Sequence, residues 1–149
     1  MKTILLFLFV ALTFTACKKS ETDIEPENAA DVVAGNYKLS SFRYAAGTDE
    51  IDLPKLPLTQ SGKTISGTVS LDATSEDNVT MTLTLKATGS QDASIDIDNV
   101  EVKKRGKVYG LYVDGEQVAD ADGDNIIFNL NEEDPSTGET LELKFTAAK

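Results

Sequence analysis

The chain has 149 residues, enough for one domain with a modest core, and it carries 14 basic against 25 acidic residues, a formal net charge of −11. A surface of that sign repels phosphate backbones and anionic headgroups, which argues against nucleic acid as a partner. There is no His and only one Cys, so the commonest general base and transition-metal ligand is missing and no internal disulfide can form.

The N-terminus has the layout of an export signal. Lys2 supplies a positive start, Ile4 through Leu12 are apolar almost without interruption, and Thr15-Ala16 place small residues before Cys17. Ile4 to Ala16 is about 13 residues, short of the roughly 20 that a membrane-spanning helix needs. Phe14-Thr15-Ala16-Cys17 resembles the bacterial lipobox, with Phe14 standing where that family usually has Leu. The resemblance implies a lipoprotein signal peptide over residues 1–16, cleavage before Cys17, and attachment of diacylglycerol and palmitate to that cysteine as a membrane anchor. An ordinary cleaved signal with an incidental Cys is the alternative. Removing 16 of the 149 residues leaves 133, and the loss of Lys2 moves the net charge from −11 to −12.

Residues 17–28, Lys18-Lys19-Ser20-Glu21-Thr22-Asp23-Ile24-Glu25-Pro26-Glu27-Asn28 after the cysteine, offer almost nothing to bury and read as a flexible acidic tether. A cysteine followed by Lys and an acidic run is similar to the signal that carries Bacteroidota lipoproteins to the outer face of the outer membrane. That resemblance implies an outer-membrane lipoprotein exposed at the cell surface; a plain solvated linker is the alternative.

Residues 29–149 form the folded domain. Glu27 to Val33, with Pro26 near its start, is the single helix candidate and is short enough to be a cap. Tyr37 and Leu39 share one phase and Phe42 and Tyr44 another, so the first strand bends near Ser40-Ser41 and can serve two parts of a sheet. Ile65 to Leu71 alternates, and Val79 to Thr88 does so without a fault, apolar at odd positions and Thr or Lys at even ones. Ala93 to Lys104 changes phase between Ile97 and Val100, which predicts a bulge near Asn99. Lys103-Lys104-Arg105-Gly106-Lys107 reads as a solvated hairpin turn. Asp114-Gly115 and Asp122-Gly123 bracket a short strand from Glu116 to Ala119, and Ile126 to Leu130 and Thr140 to Ala147 complete the series.

The pattern is all-β: an antiparallel meander of about eight strands, with no connection long enough for a crossover helix. Such a meander closes as a barrel or folds as a β-sandwich, and pairing of the last strand with the bent first one favours the barrel. Gly35-Asn36-Tyr37-Lys38-Leu39, opening the first strand after a helical segment, resembles the Gly-x-Trp start of lipocalin-like domains, with Tyr37 in place of Trp. The resemblance implies a lipocalin-like β-barrel. The inward set, including Val69, Leu71, Met81, Leu83, Ile95 and Phe128, is mostly of medium aliphatics that can fill a small barrel. Tyr37, Tyr109 and Tyr112 are the residues expected to line a ligand-binding mouth, and Gly67 and Gly110 leave room for a neighbouring side chain or a ligand.

No catalytic constellation is visible. Asp96 and Asp98 lie side by side on one strand face, whereas a glycosidase pair comes from separate elements across a cleft. Asp120, Asp122 and Asp124 are the one metal candidate, for calcium. Against an EF-hand loop the glycine falls at the fourth position and Asn131 replaces the bidentate Glu at the twelfth, so a hairpin turn accounts for the composition and no cofactor is assigned. The sequence thus points to a non-enzymatic, membrane-anchored protein. Its partner is a small apolar or amphipathic ligand held in the barrel or, alternatively, an envelope protein met by a packed accessory module for adhesion, inhibition or assembly.

Overall fold

A computed structural model describes residues 28–133 and 135–149; the signal segment, Cys17 and the tether up to residue 27 lie outside the described residues. After a one-turn helix α1 (Ala29–Val33) come strands β1 (Gly35–Ala46), β2 (Asp49–Leu53), β3 (Leu58–Gln60), β4 (Lys63–Ser75) and β5 (Asn78–Ala87). They are followed by β6 (Ala93–Arg105), β7 (Val108–Val113), β8 (Glu116–Ala121), β9 (Asn125–Glu133) and β10 (Thr140–Ala148). All join one antiparallel sheet in the order β2-β1-β10-β9-β8-β7-β6-β5-β4-β3. A further pairing of β1 with β4, from Gly35↔Leu71 to Lys38↔Thr68, closes eight strands into a barrel and leaves β2 and β3 as extra strands. The barrel, and not the sandwich, is the architecture.

The bend expected near Ser40-Ser41 is a β-bulge, since the register with β10 shifts between Leu39 and Ser41. Before it β1 pairs with β4, and after it with β2, from Phe42↔Leu53 to Ala46↔Asp49. Thr146 pins the bulge: its Oγ1 lies 2.7 Å from the hydroxyls of both Ser40 and Ser41. The bulged Ser40 carbonyl accepts a hydrogen bond from Leu56 N at 2.8 Å, which ties down the connection between β2 and β3 and buries Leu56. The bulge expected near Asn99 is likewise present: the β5–β6 register shifts between Val79 and Met81, and Asn99 has φ of 56°. β2 and β3 escape sequence reading because Asp49-Glu50-Ile51-Asp52, Pro54 and Pro57 carry too short an alternation. They pair only because the bent β1 and the start of β4 present free edges to them.

Inward side chains fill the barrel. Tyr37, Val69, Leu71, Val79, Met81, Val100, Leu111, Ile126 and Phe128 are all buried, and Phe128 stacks on Phe145 with ring centroids 4.6 Å apart. Burial of each such aliphatic contributes about 1.5–3 kcal/mol, the main favourable term in the fold. Among the described residues no polar or charged side chain is buried. The room at Gly67 is taken by aliphatics, because a Cβ there would overlap Leu39 Cδ1 and lie 2.9 Å from Leu85 Cδ2. Gly67→Ala should therefore destabilise the domain by about 1–3 kcal/mol in urea unfolding. Combining it with Leu39→Ala should cost less than the sum of the two single changes. Full additivity would show that Leu39 is not what fills the space.

Candidate binding mouth

The barrel has two unlike ends. At one end α1 and the β8–β9 turn close it, with Ala30 and Val33 fully buried and Ala30 N donating to Glu76 O at 3.0 Å. Tyr37 fastens this cap from below: its hydroxyl donates to the Val33 carbonyl at 2.6 Å, and the Gly123 carbonyl lies 3.2 Å from the same oxygen. Gly123 has φ of +94°, and a Cβ there would sit 3.3 Å from the Val32 carbonyl, so the turn packs directly on the helix. Burial, helped by Asp122 and Asp124, pushes the Tyr37 hydroxyl up from 10.0 to about 12.

Asp122 and Asp120 have structural partners. Asp122 Oδ1 accepts hydrogen bonds from the backbone of Asp124 at 2.9 Å and Asn125 at 2.7 Å, and these bonds hold its carboxyl below the usual carboxylate range. Asp120 instead accepts from Gln117 Nε2 at 2.8 Å. The Asp122 and Asp120 carboxylates thus have different partners, and among the described residues no group of acids is arranged to hold a metal ion.

Tyr109 is also buried inside the barrel, near the β6–β7 turn at the capped end, with Lys104 Nζ 5.8 Å from its ring centroid. Tyr112 alternates to the outer face, where its ring covers Gly110 at 2.8 Å from a would-be Cβ and Lys103 Nζ stands 4.7 Å from the centroid. Tyr37, Tyr109 and Tyr112 therefore do not gather round one opening. The tyrosine on the inner face of the uncapped end is Tyr44, half-buried beyond the β1 bulge; its phase change relative to Tyr37 was the available signal.

At the uncapped end the inner face of β2, β1, β10 and β9 is built in three rows. The deepest, Leu53, Phe42, Phe145 and Phe128, belongs mostly to the buried core. In the next row, Ile51, Tyr44, Leu143 and Leu130, Leu143 is still buried, Tyr44 and Leu130 are partly covered and Ile51 is 46% exposed. The outermost row, Asp49, Ala46, Leu141 and Glu132, begins and ends in a carboxylate. Across the opening Ile95, opposite Leu83, is 44% exposed, and Leu58, opposite Ile65, is 37% exposed. Three of the five exposed large hydrophobics among the described residues thus lie on this inner face. Such an apolar rim can take an aliphatic chain or ring.

Tyr37→Phe should lower stability by about 1–3 kcal/mol, since it leaves the buried Val33 carbonyl without its donor. It should also change the alkaline limb. Because the folded hydroxyl titrates near 12 and the unfolded one near 10.0, its contribution is complete below pH 10 and is lost as pH rises toward 12. Denaturant midpoints of wild type should fall more steeply across that window than those of Tyr37→Phe; parallel curves would refute the assignment.

No family model matches the chain, and no curated protein matches it. Among solved structures it is similar to a de novo designed fluorescence-activating β-barrel, at 14% identity and a TM-score of 0.35, over 79% of this chain and 95% of that one.

Proposed function

We propose that this is a non-enzymatic, lipid-anchored, lipocalin-like lipoprotein of the outer membrane that binds a small apolar or amphipathic molecule at the uncapped end of its barrel. The observation that carries the reading is the uncovered apolar inner face there, with Ile51, Leu58 and Ile95 exposed while the capped end is packed shut. A concave, mostly apolar opening with a few placed polar groups is the usual form of a small-molecule site. Because the deeper interior is filled, the ligand lies across the mouth and does not thread the barrel.

The anchor rests on the lipobox-like residues before Cys17 and on the acidic stretch after it. Diacylglycerol and palmitate on Cys17 would hold the domain at the membrane surface. The same stretch, by its resemblance to a surface-export signal, supports exposure at the cell surface.

A second reading, an accessory module that docks on an envelope protein, has one observation in its favour. On the outer face Ile127 is 62% exposed beside a cleft of about 380 Å³ lined in part by Arg43, Pro54, Lys144 and Thr146.

Mass spectrometry of lipid extracts from protein purified out of its native host should recover one compound class, and Ile95→Asp should abolish that recovery while Ile127→Lys should not. Empty protein, or loss with Ile127→Lys alone, would favour the accessory module. Cys17→Ser should release the protein from membranes; a variant that stays bound would overturn the anchor.

A further inference from the structure

We infer that the mouth selects a cationic amphiphile, an alkyl or ring system carrying an amine or quaternary ammonium group. The inference rests on the ligand-binding reading and adds the charge of the ligand to it.

The argument begins with register. Along β2, β1, β10 and β9 the outermost inner-face row runs Asp49, Ala46, Leu141, Glu132, so two carboxylates flank the apolar rim on the face that a ligand would touch. Glu116, opposite Val113 on the same face, adds a third. The one basic residue in the equivalent inner-face register is Lys63, at the start of β4 on the other side of β1. Among the described residues none of these four makes an ion pair, whereas nearby Glu50 and Asp92 are neutralised by Arg43 and Lys86.

A cleft of about 430 Å³ opens at the same place. Its walls include Ala46 and Leu141 from the outermost row together with Glu132, Glu133 and Glu139, and among the described residues no basic side chain lines it. Apolar contact and negative charge therefore meet at one spot, with the partly covered Tyr44 and Leu130 flanking the buried Leu143 directly below. An ammonium group there would relieve repulsion among carboxylates while its chain covers exposed apolar surface. An anionic head would meet repulsion, and a neutral one would gain only the apolar part.

Each exposed charge pair is weak, so two or three together should favour the cation by about tenfold. Because these charges are exposed, salt screens them over roughly 10 Å at 0.1 M.

Titration calorimetry of the intact domain with decyltrimethylammonium, decyl maltoside and decyl sulfate, each below its micelle concentration, tests this. The cation should bind about tenfold more tightly than the maltoside, and the sulfate least. The combined Asp49→Asn and Glu132→Gln variant should narrow the gap between cation and maltoside to about twofold, as should raising salt from roughly 0.02 to 0.3 M. Ile51→Gln should weaken both, since it is exposed and alters the apolar floor without opening the core. Equal binding of cation and maltoside would overturn the inference and leave the ligand-binding reading standing. Cation binding that ignores Ile51→Gln would show attraction to bulk charge only and would also overturn it. Binding of none of the three would remove both.

Discussion

At Ser40 the first strand carries one residue more than β10 opposite it, and the strand turns from one partner to another. Four residue pairs between β1 and β4 then close the barrel, while the remaining length of β1 is left to pair with β2. A bulge of this kind bends a strand and sharpens its twist, which an eight-stranded sheet needs in order to meet itself. The hydroxyls of Ser40, Ser41 and Thr146 hold the bulge in place, so a few polar groups near the surface set the course of the strand on which closure depends.

Because β1 and β4 separate beyond that point, the two ends of the barrel cannot be alike. Where they pair, α1, Tyr37 and the Gly123 turn complete a packed plug in which every inward side chain finds neighbours. Where they diverge, β2 and β3 widen the sheet, and the inner-face residues they bring, Ile51 and Leu58, stay partly exposed. Burial falls row by row from Phe128 and Phe145 outward. The same tyrosine that resembles a lipocalin-like strand start is thus spent on the plug, and the opening is furnished by residues beyond the bulge.

The acidic composition divides by role in the same way. Asp122 is a turn residue whose carboxylate satisfies backbone N–H groups, and Glu50, Glu142 and Asp52 surround Arg43 on the outside of β1. Such exposed pairs contribute little to stability. The carboxylates at the rim have no such partners among the described residues, and their negative field is what a ligand at the opening would meet.

Alternation of apolar and polar residues was enough to read eight of the strands and the irregularities near Ser40 and Asn99, though not those at Ala73/Ser75 and Leu111/Tyr112, because one face of each strand must be dry and a slip of one residue would reverse it. Asp122 was legible as a turn for the same local reason. β2 and β3 were not, since a short acidic segment broken by Pro54 and Pro57 has no preference of its own and takes its conformation from free edges elsewhere in the sheet. Nor could the placement of Tyr37, Tyr109 and Tyr112 be read. Alternation says which residues share a face within a strand, but not which end of the barrel a strand reaches or what covers it there. Sequence alone determined the all-β class, the strand phases and the net charge, which are properties of neighbours along the chain. Closure, the choice of which end is capped, and the meeting of Asp49 and Glu132 around Ala46 and Leu141 were decided only by pairing between distant strands, where register brings together residues that the chain keeps far apart.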